Sequence, residues 1–338
     1  MSASSLVEIE SLFNDNGEPE FGHLTAIPKY LGLERFVYRT TMDKTANRLA
    51  KYFHYKQFQF VSISTPDYII GVAMADIRYL GNSFYYVYDI ATNELIEAKT
   101  IQPLGYRYQL MPSPWQSISY FNALGTRIEI EAGLWRVTVD SELLDMDIIL
   151  NPPSVGGPLM LCTPTGYSGW TYTQKHNALA VTGRIKVQGK ALDVSTCLAG
   201  YDFSAGYMRQ ETSWRWASLN AIVNERRIGV NLAAGVNETG ATENTLWIDG
   251  QRYLLNGVHF DFDRLDSNKP WRIYGDDGAI DLTFRPLQLR SEKLNFGLLK
   301  SNFRQYVGYF SGVLTDLEGN HYPLDRVLGL TEDHYAKW

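Results

Sequence analysis

An all-β chain built as two antiparallel barrels or sandwiches is what this sequence predicts, on three observations. Short stretches of alternating apolar and polar residues follow one another along most of its 338 residues, and side chains alternate between two faces every residue only in strands. Turn-forming pairs punctuate these stretches at Gly81-Asn82, Asp249-Gly250, Asp277-Gly278 and Glu318-Gly319. Helical periodicity is scarce: Leu6–Phe13 and Asp43–Phe53 read as a few turns each, and no long amphipathic helix is present. Strands spaced by turns, without intervening helices, curl into barrels or sandwiches rather than βαβ units.

The first half supplies strands at Phe58–Ser64, Tyr68–Tyr79 and Phe84–Asp89, rich in the β-branched and aromatic residues that suit a pleated surface. Thr126–Glu131, Leu134–Val139 and Met146–Leu150 follow, each alternating apolar with polar or charged residues. The second half supplies Leu179–Val187, Trp214–Ile222, Arg227–Val236, Thr245–Ile248, Gln251–Phe262, Ile280–Phe284 and Gly308–Leu314. Between the halves, Asn151–Gly166 packs four Pro and three Gly into sixteen residues. Proline removes ladder donors and glycine raises chain entropy, so this segment reads as a linker. The expected domains are residues 1–155 and 166–338, the length suiting two cores of ordinary size.

A weak repeat runs through the chain at an offset of 158. It maps Ile70-Gly71-Val72 onto Ile228-Gly229-Val230, Phe58 onto Trp216 and Ala75 onto Ala233; with a two-residue insertion Asp89 falls on Asp249. The order strand-turn-strand is kept, as a duplicated β unit would keep it. In the second copy one face reads Gly229, Asn231, Ala233, Gly235, Asn237, the other Ile228, Val230, Leu232, Ala234, Val236. Small residues on the first face leave room for something to approach the backbone. In the first copy the two amides become Ala73 and Tyr79, and Glu243-Asn244 becomes Ser83-Phe84. The site is therefore expected in the C-terminal barrel.

Composition narrows the function. A net charge of −6 and a pI near 5.6 argue against broad nucleic-acid binding, which needs clustered Lys and Arg. No apolar run reaches the roughly 18–20 residues of a membrane span, and the N-terminus lacks the basic and apolar regions of a secretory signal. Cytoplasmic location is expected, with Cys162 and Cys197 as reduced thiols. The six histidines are dispersed with no HxH or HExxH spacing, so no metal is expected. No phosphate-binding glycine loop and no GxSxG elbow occurs; no cofactor is expected.

The candidate site residues lie within Ala199–Gly250 and just before it. Asp202, between Gly200 and Gly206, reads as a carboxylate held at a strand end or as a turn residue. Glu211 lies three residues before Trp214; beside two indoles its carboxyl would be desolvated and suited to general acid work, the alternative being a surface ion pair. Trp214 and Trp216 share a strand face and form either a stacking wall or plain core. Glu243-Asn244 precedes a strand, so alternation turns one of the two inward. His176 suits acid–base exchange near neutral pH, or sits in a loop without a role. Near the C-terminus Glu332, Asp333 and His334 gather beside Tyr335 and Trp338.

Four segments, GYMRQETSWRWAS (Gly206–Ser218), GVNLAAGVNETGATENTLWIDG (Gly229–Gly250), LNFGLLKSNFRQYVGYFSG (Leu294–Gly312) and EDHYAKW (Glu332–Trp338), resemble the domain-of-unknown-function family 2804 along nearly the whole chain. That family is similar to a larger group that includes the carotenoid 1,2-hydratases, kievitone hydratase and the AttH-like proteins. The resemblance implies two tandem lipocalin-like (calycin-like) barrels with few short helices, and a small amphipathic or lipidic molecule as ligand. It further implies cofactor-free addition of water to a C=C bond. Local chemistry then casts Asp202 or Glu211 as acid, Trp214 and Trp216 as wall, and Asn231, Asn237 and Tyr207 as holders of water or substrate. A non-catalytic lipid or isoprenoid carrier, and a carbohydrate-active enzyme using paired carboxylates, are the other readings.

Overall fold

The computed structural model describes residues 6–236, 239–297 and 299–338. Two curled antiparallel sheets make up the molecule, one closing nearly into a barrel and the other a half-barrel. Among the described residues the first sheet has 14 strands and the second 9. Helix is confined to Arg48–His54 and two 3-10 turns among the described residues; Asn47 caps the helix by accepting from the Ala50 N–H at 2.8 Å. No described helix is long and apolar enough to cross a membrane.

The two sheets repeat one strand order. In the first, Glu94–Pro103, Leu80–Asp89, Tyr68–Asp76 and Lys56–Ser64 lead to Leu198–Gly206, the last strand of that sheet in sequence. In the second, Gln251–Leu254, Thr245–Ile248, Arg226–Ala234 and Glu211–Val223 lead in the same way to His321–Lys337. The offset of 158 carries Tyr68–Asp76 onto Arg226–Ala234 residue for residue, so the echo in the sequence follows equivalent strands.

Several expectations are corrected. Leu6–Phe13 is not helical: Glu8–Ser11 is a strand paired in parallel with Ile27–Tyr30. Gln251–Phe262 breaks at Asn256-Gly257 into Gln251–Leu254 and Val258–Asp261, which lie on opposite edges of the sheet. Asn151–Gly166 does not separate the sheets. Leu159–Thr165 pairs with the long strand Gly169–Val187, and both belong to the first sheet along with Leu198–Gly206. Its prolines sit where one side of the ladder is open or before the strand starts, as proline requires. The preceding turn clasps the second sheet instead: Trp247 Nε1 donates to Gly157 O at 3.0 Å, and Arg252 donates to Pro158 O. We propose that the two units divide at residues 207–210, between the sheets, rather than at 155–166.

Each sheet has its own interior. Val61, Ile63, Val72, Met146, Ile148, Trp135 and Phe203 fill the first; Leu219, Val230, Leu232, Trp271, Ile273 and Phe310 fill the second. Alternation sends the intervening residues outward, and the two outer faces meet. Ile69, Tyr86 and Tyr88 of the first sheet pack against Trp216, Ala233, Val307 and Leu330 of the second. The face of small residues at Gly229, Asn231 and Ala233 belongs to this contact, and what approaches it is the first sheet.

At the closest point, Gly169–Val187 carries a bulge between His176 and Leu179, with Ala178 in the left-handed region at φ 58°. Asn177 Nδ2 donates to Ser218 Oγ at 2.7 Å, and Asn220 Oδ1 accepts from the Ala178 N–H at 2.7 Å. Asn220 Nδ2 also donates to Ser62 Oγ at 3.1 Å. A Cβ on Gly229 would lie 2.7 Å from Asn177 Cβ and 2.8 Å from its carbonyl carbon, so only glycine admits the bulge. Gly229→Ala should lower unfolding free energy by about 1–3 kcal/mol through overpacking, read by urea denaturation. Gly257→Ala, where the new Cβ meets nothing within 4 Å, is the control expected to change little.

Candidate functional site

A cavity of about 300 Å³ lies between the outer faces of the two sheets. The first sheet contributes Phe58, Phe60, Ala73 and Phe84, the second Trp214, Trp216 and Phe303. Phe60 and Trp216 meet edge to face, with centroids 5.9 Å apart at 86°. The hollow expected inside the C-terminal barrel is instead packed with hydrocarbon. The indoles point away from that interior because they share a face with Ser218 and Asn220, which contact the first sheet.

Two polar clusters break the apolar lining. In the first, buried Lys175 pairs with Asp202 and, at 3.2 Å, with Glu243. Burial works against the Lys175 charge, but the two carboxylates outweigh it and hold the ammonium pKa above its ordinary value. Asp202 stays about a quarter exposed toward the cavity and also accepts from Ser204 Oγ at 3.1 Å. Trp216 Nε1 donates to Asn231 Oδ1 at 2.7 Å, and Asn231 Nδ2 donates to the Glu243 backbone carbonyl at 2.8 Å. Asn231 thus holds an indole of the wall and the loop carrying Glu243.

The second cluster comes from His321–Lys337 and the adjacent strand Leu299–Thr315. Glu332 accepts from Trp214 Nε1 at 2.9 Å and from Gln305 Nε2 at 3.3 Å. His334 lies against Trp214, with centroids 4.2 Å apart; its Nε2 is 2.9 Å from Ser301 Oγ and its Nδ1 3.7 Å from Glu332. All of these side chains line the cavity. Asp333, between the two, faces the other way and is clamped by Arg264 at 2.8 Å and Arg304 at 3.1 Å. The strand period separates Glu332 and His334 from Asp333, a signal that was available in EDH.

Of the residues singled out in the sequence, Asp202, Glu243, Trp214 and Trp216 therefore line one cavity, with Asn231 just behind them. Glu332, His334 and Trp338 from the C-terminal group line it too, whereas Glu211, Tyr207, Asn244 and His176 stand elsewhere. Glu211 is exposed at a strand end, where Lys337 and Tyr335 bond its carboxylate at 2.9 and 2.8 Å and hold its pKa below the ordinary value. That is the opposite of the desolvated acid expected, because the strand's first residue overhangs the sheet. Tyr207 is buried among Phe36, Tyr38 and Trp170 at the end of the first barrel, where burial raises its pKa to about 12. Asn244 is structural, accepting from the Ala233 N–H and donating to Asn256 O. Asn237 lies outside the described residues. His176 is buried between Tyr201 and Trp247, and burial, aided by nearby Arg252, lowers its pKa to about 3. No group of three or more His, Cys, Asp or Glu among the described residues is placed to hold a metal, and both cysteines are buried and free.

The chain belongs to the family described as Domain of unknown function (DUF2804), whose model matches residues 20–338. Kievitone hydratase from Nectria haematococca has a similar structure, at 14% identity and TM-score 0.54, covering 84% of this chain and 89% of that one. CghA with Sch210972 is similar at 11% identity and TM-score 0.54, covering 98% of each chain. A putative AttH protein from Nitrosomonas europaea gives 12% identity and TM-score 0.48 over 88% of this chain and 98% of that one. At such identities the likeness is one of fold, the lipocalin-like pair of curled sheets. No curated protein matches the chain's sequence significantly.

His176 gives a test that separates burial from catalysis. Its folded pKa lies below the unfolded value, so between about pH 6.5 and pH 3 the unfolded chain binds a proton that the folded chain refuses. Stability from this residue is complete above pH 6.5 and lost as pH falls toward 3, by at most about 1.4 kcal/mol per pH unit. His176→Gln should flatten the dependence of urea midpoints on pH in that window, whatever its absolute stability. An unchanged slope would contradict the buried, neutral imidazole.

Proposed function

We propose that the cavity between the sheets is the working site of a cofactor-free enzyme of hydratase or isomerase type, acting on an apolar or amphipathic small molecule. The observation that carries this reading is the presence in one aromatic-walled cavity of two polar clusters, Asp202 with Lys175 from the first sheet and His334 with Glu332 from the second. Adding water to a C=C bond requires a proton at one carbon and a water, relieved of its own proton, at the other. His334, held between Ser301 and Glu332, gives the proton. Asp202, ion-paired with Lys175, orients the water and takes the proton it releases. The flat faces of Phe60, Trp214 and Trp216 fix the substrate between the two and exclude bulk solvent. The shared fold with kievitone hydratase, a hydratase by name, agrees with this reading.

A second reading, a non-catalytic carrier, is favoured by the mostly apolar lining. The carbohydrate-active reading draws no support from Glu211, which stands at an exposed strand end bound to Lys337 and Tyr335. The two surviving readings part in water carrying heavy oxygen. Incubated with an apolar cell extract, the enzyme should yield by mass spectrometry a product heavier than its precursor by one labelled water. His334→Gln and Asp202→Asn should each cut that product by about 100-fold, the usual scale of a lost acid or base. Recovery of bound molecules unchanged by all three proteins would favour the carrier.

A further inference from the structure

Arg290 is the least explained group in the cavity. It stands on Ile280–Phe296 beside Gln305 of the next strand, and it is only 6% exposed. Its guanidinium lies 3.6 Å from the centre of the Phe84 ring and 5.1 Å from that of Phe303. Nε donates to Glu97 at 2.6 Å. Among the described residues the guanidinium's hydrogen bond is the one from Nε, neither Nη is wholly shut off from water, and the side chain lines the cavity.

Nη1 and Nη2 thus keep their contact with the cavity rather than with a protein acceptor, and a guanidinium so placed favours an acceptor of opposite charge. The charges nearby leave room for one. Lys99 lies 3.6 Å from Glu97 and 2.8 Å from Glu292, so the four groups Arg290, Lys99, Glu97 and Glu292 balance. Glu332, two strands away, has its oxygens engaged by Trp214 and Gln305. Lys300 adds a positive charge to the lining. The planar fork end of arginine matches two oxygens of a carboxylate better than a single carbonyl.

We propose that Arg290 anchors a carboxylate, and that the ligand of this cavity is an amphipathic carboxylic acid whose apolar body lies along Phe84, Phe60 and Trp216. This rests on the cavity being a ligand site, and it names the substrate class that the site accepts. Arg290 is here a binding residue, touching the head group and leaving the proton steps to His334 and Asp202.

The test uses cis-parinarate and its methyl ester, which share one conjugated chain and differ in charge at the head. Binding to the full chain is followed by quenching of tryptophan emission. The acid should bind the wild type at least about tenfold more tightly than the ester. Arg290→Gln should erase that preference by weakening the acid alone, and Arg290→Lys should restore part of it. Equal affinities of acid and ester for the wild type would overturn the anchor while leaving the cavity as a ligand site. Failure of both probes to quench would overturn the anchor and the ligand site together. The comparison within the wild type holds even if a variant does not fold.

Discussion

The contact between the bulge at Asn177-Ala178 and the glycine face of Arg226–Ala234 is the constraint on which the arrangement depends. Backbone meets backbone there, and Asn177, the Ala178 N–H and Asn220 find partners across it. The Ala178 N–H, freed from its own ladder by the bulge, is taken up by Asn220, and the Asn177 amide by Ser218. Such a joint leaves little choice of register: a shift by one residue would turn Asn220 into its own barrel and put Ile228 where Gly229 must be. A Cβ on Gly200 would likewise lie 2.9 Å from both Asn177 Nδ2 and Asn220 Oδ1.

The cavity follows from that joint. Two sheets that touch at one point and curl away from each other must diverge, and the gap is filled by rings rather than by backbone. Large residues on the outer faces, Tyr86 and Tyr88 against Trp216, close it on one side. Farther along, the side chains thin to Ala73, Ala75 and Ala233, and a hollow remains. Charged residues tolerate this place only when held. Lys175 between two carboxylates, Glu332 between an indole and an amide, and Arg290 on a phenyl face are three forms of that rule.

Much of the fold was legible. The strand period, the turns at Asp249-Gly250 and Asp277-Gly278 and the offset of 158 follow from local chemistry, whereas Gly81-Asn82 lies within Leu80–Asp89, the chain turning just before it. The split of Arg227–Val236 into a small face and a branched face was also legible, because alternation is a property of the strand itself. Which face looks inward was not. Both faces of Glu211–Val223 are buried over much of its length, one by its own barrel and one by the other, so hydrophobicity cannot rank them. That ambiguity put the expected site inside the C-terminal barrel, whereas the indoles line the cavity between the sheets.

Other misses have similar causes. Glu211 was read from its neighbours in sequence, whereas its surroundings come from Tyr335 and Lys337 on the paired strand. His176 sits at a bulge, and a bulge turns a residue away from the face that alternation assigns. Lys175 and Arg290 carry no local signal in the sequence, since their partners stand 27 and 193 residues away. The central claim is that ligand lies between the barrels and not within one. A crystal structure with a terminally brominated fatty acid decides it through the anomalous signal of bromine. The account predicts the peak between Phe60 and Trp216; a peak among Val230, Trp271 and Phe310, inside the C-terminal half-barrel, would contradict it.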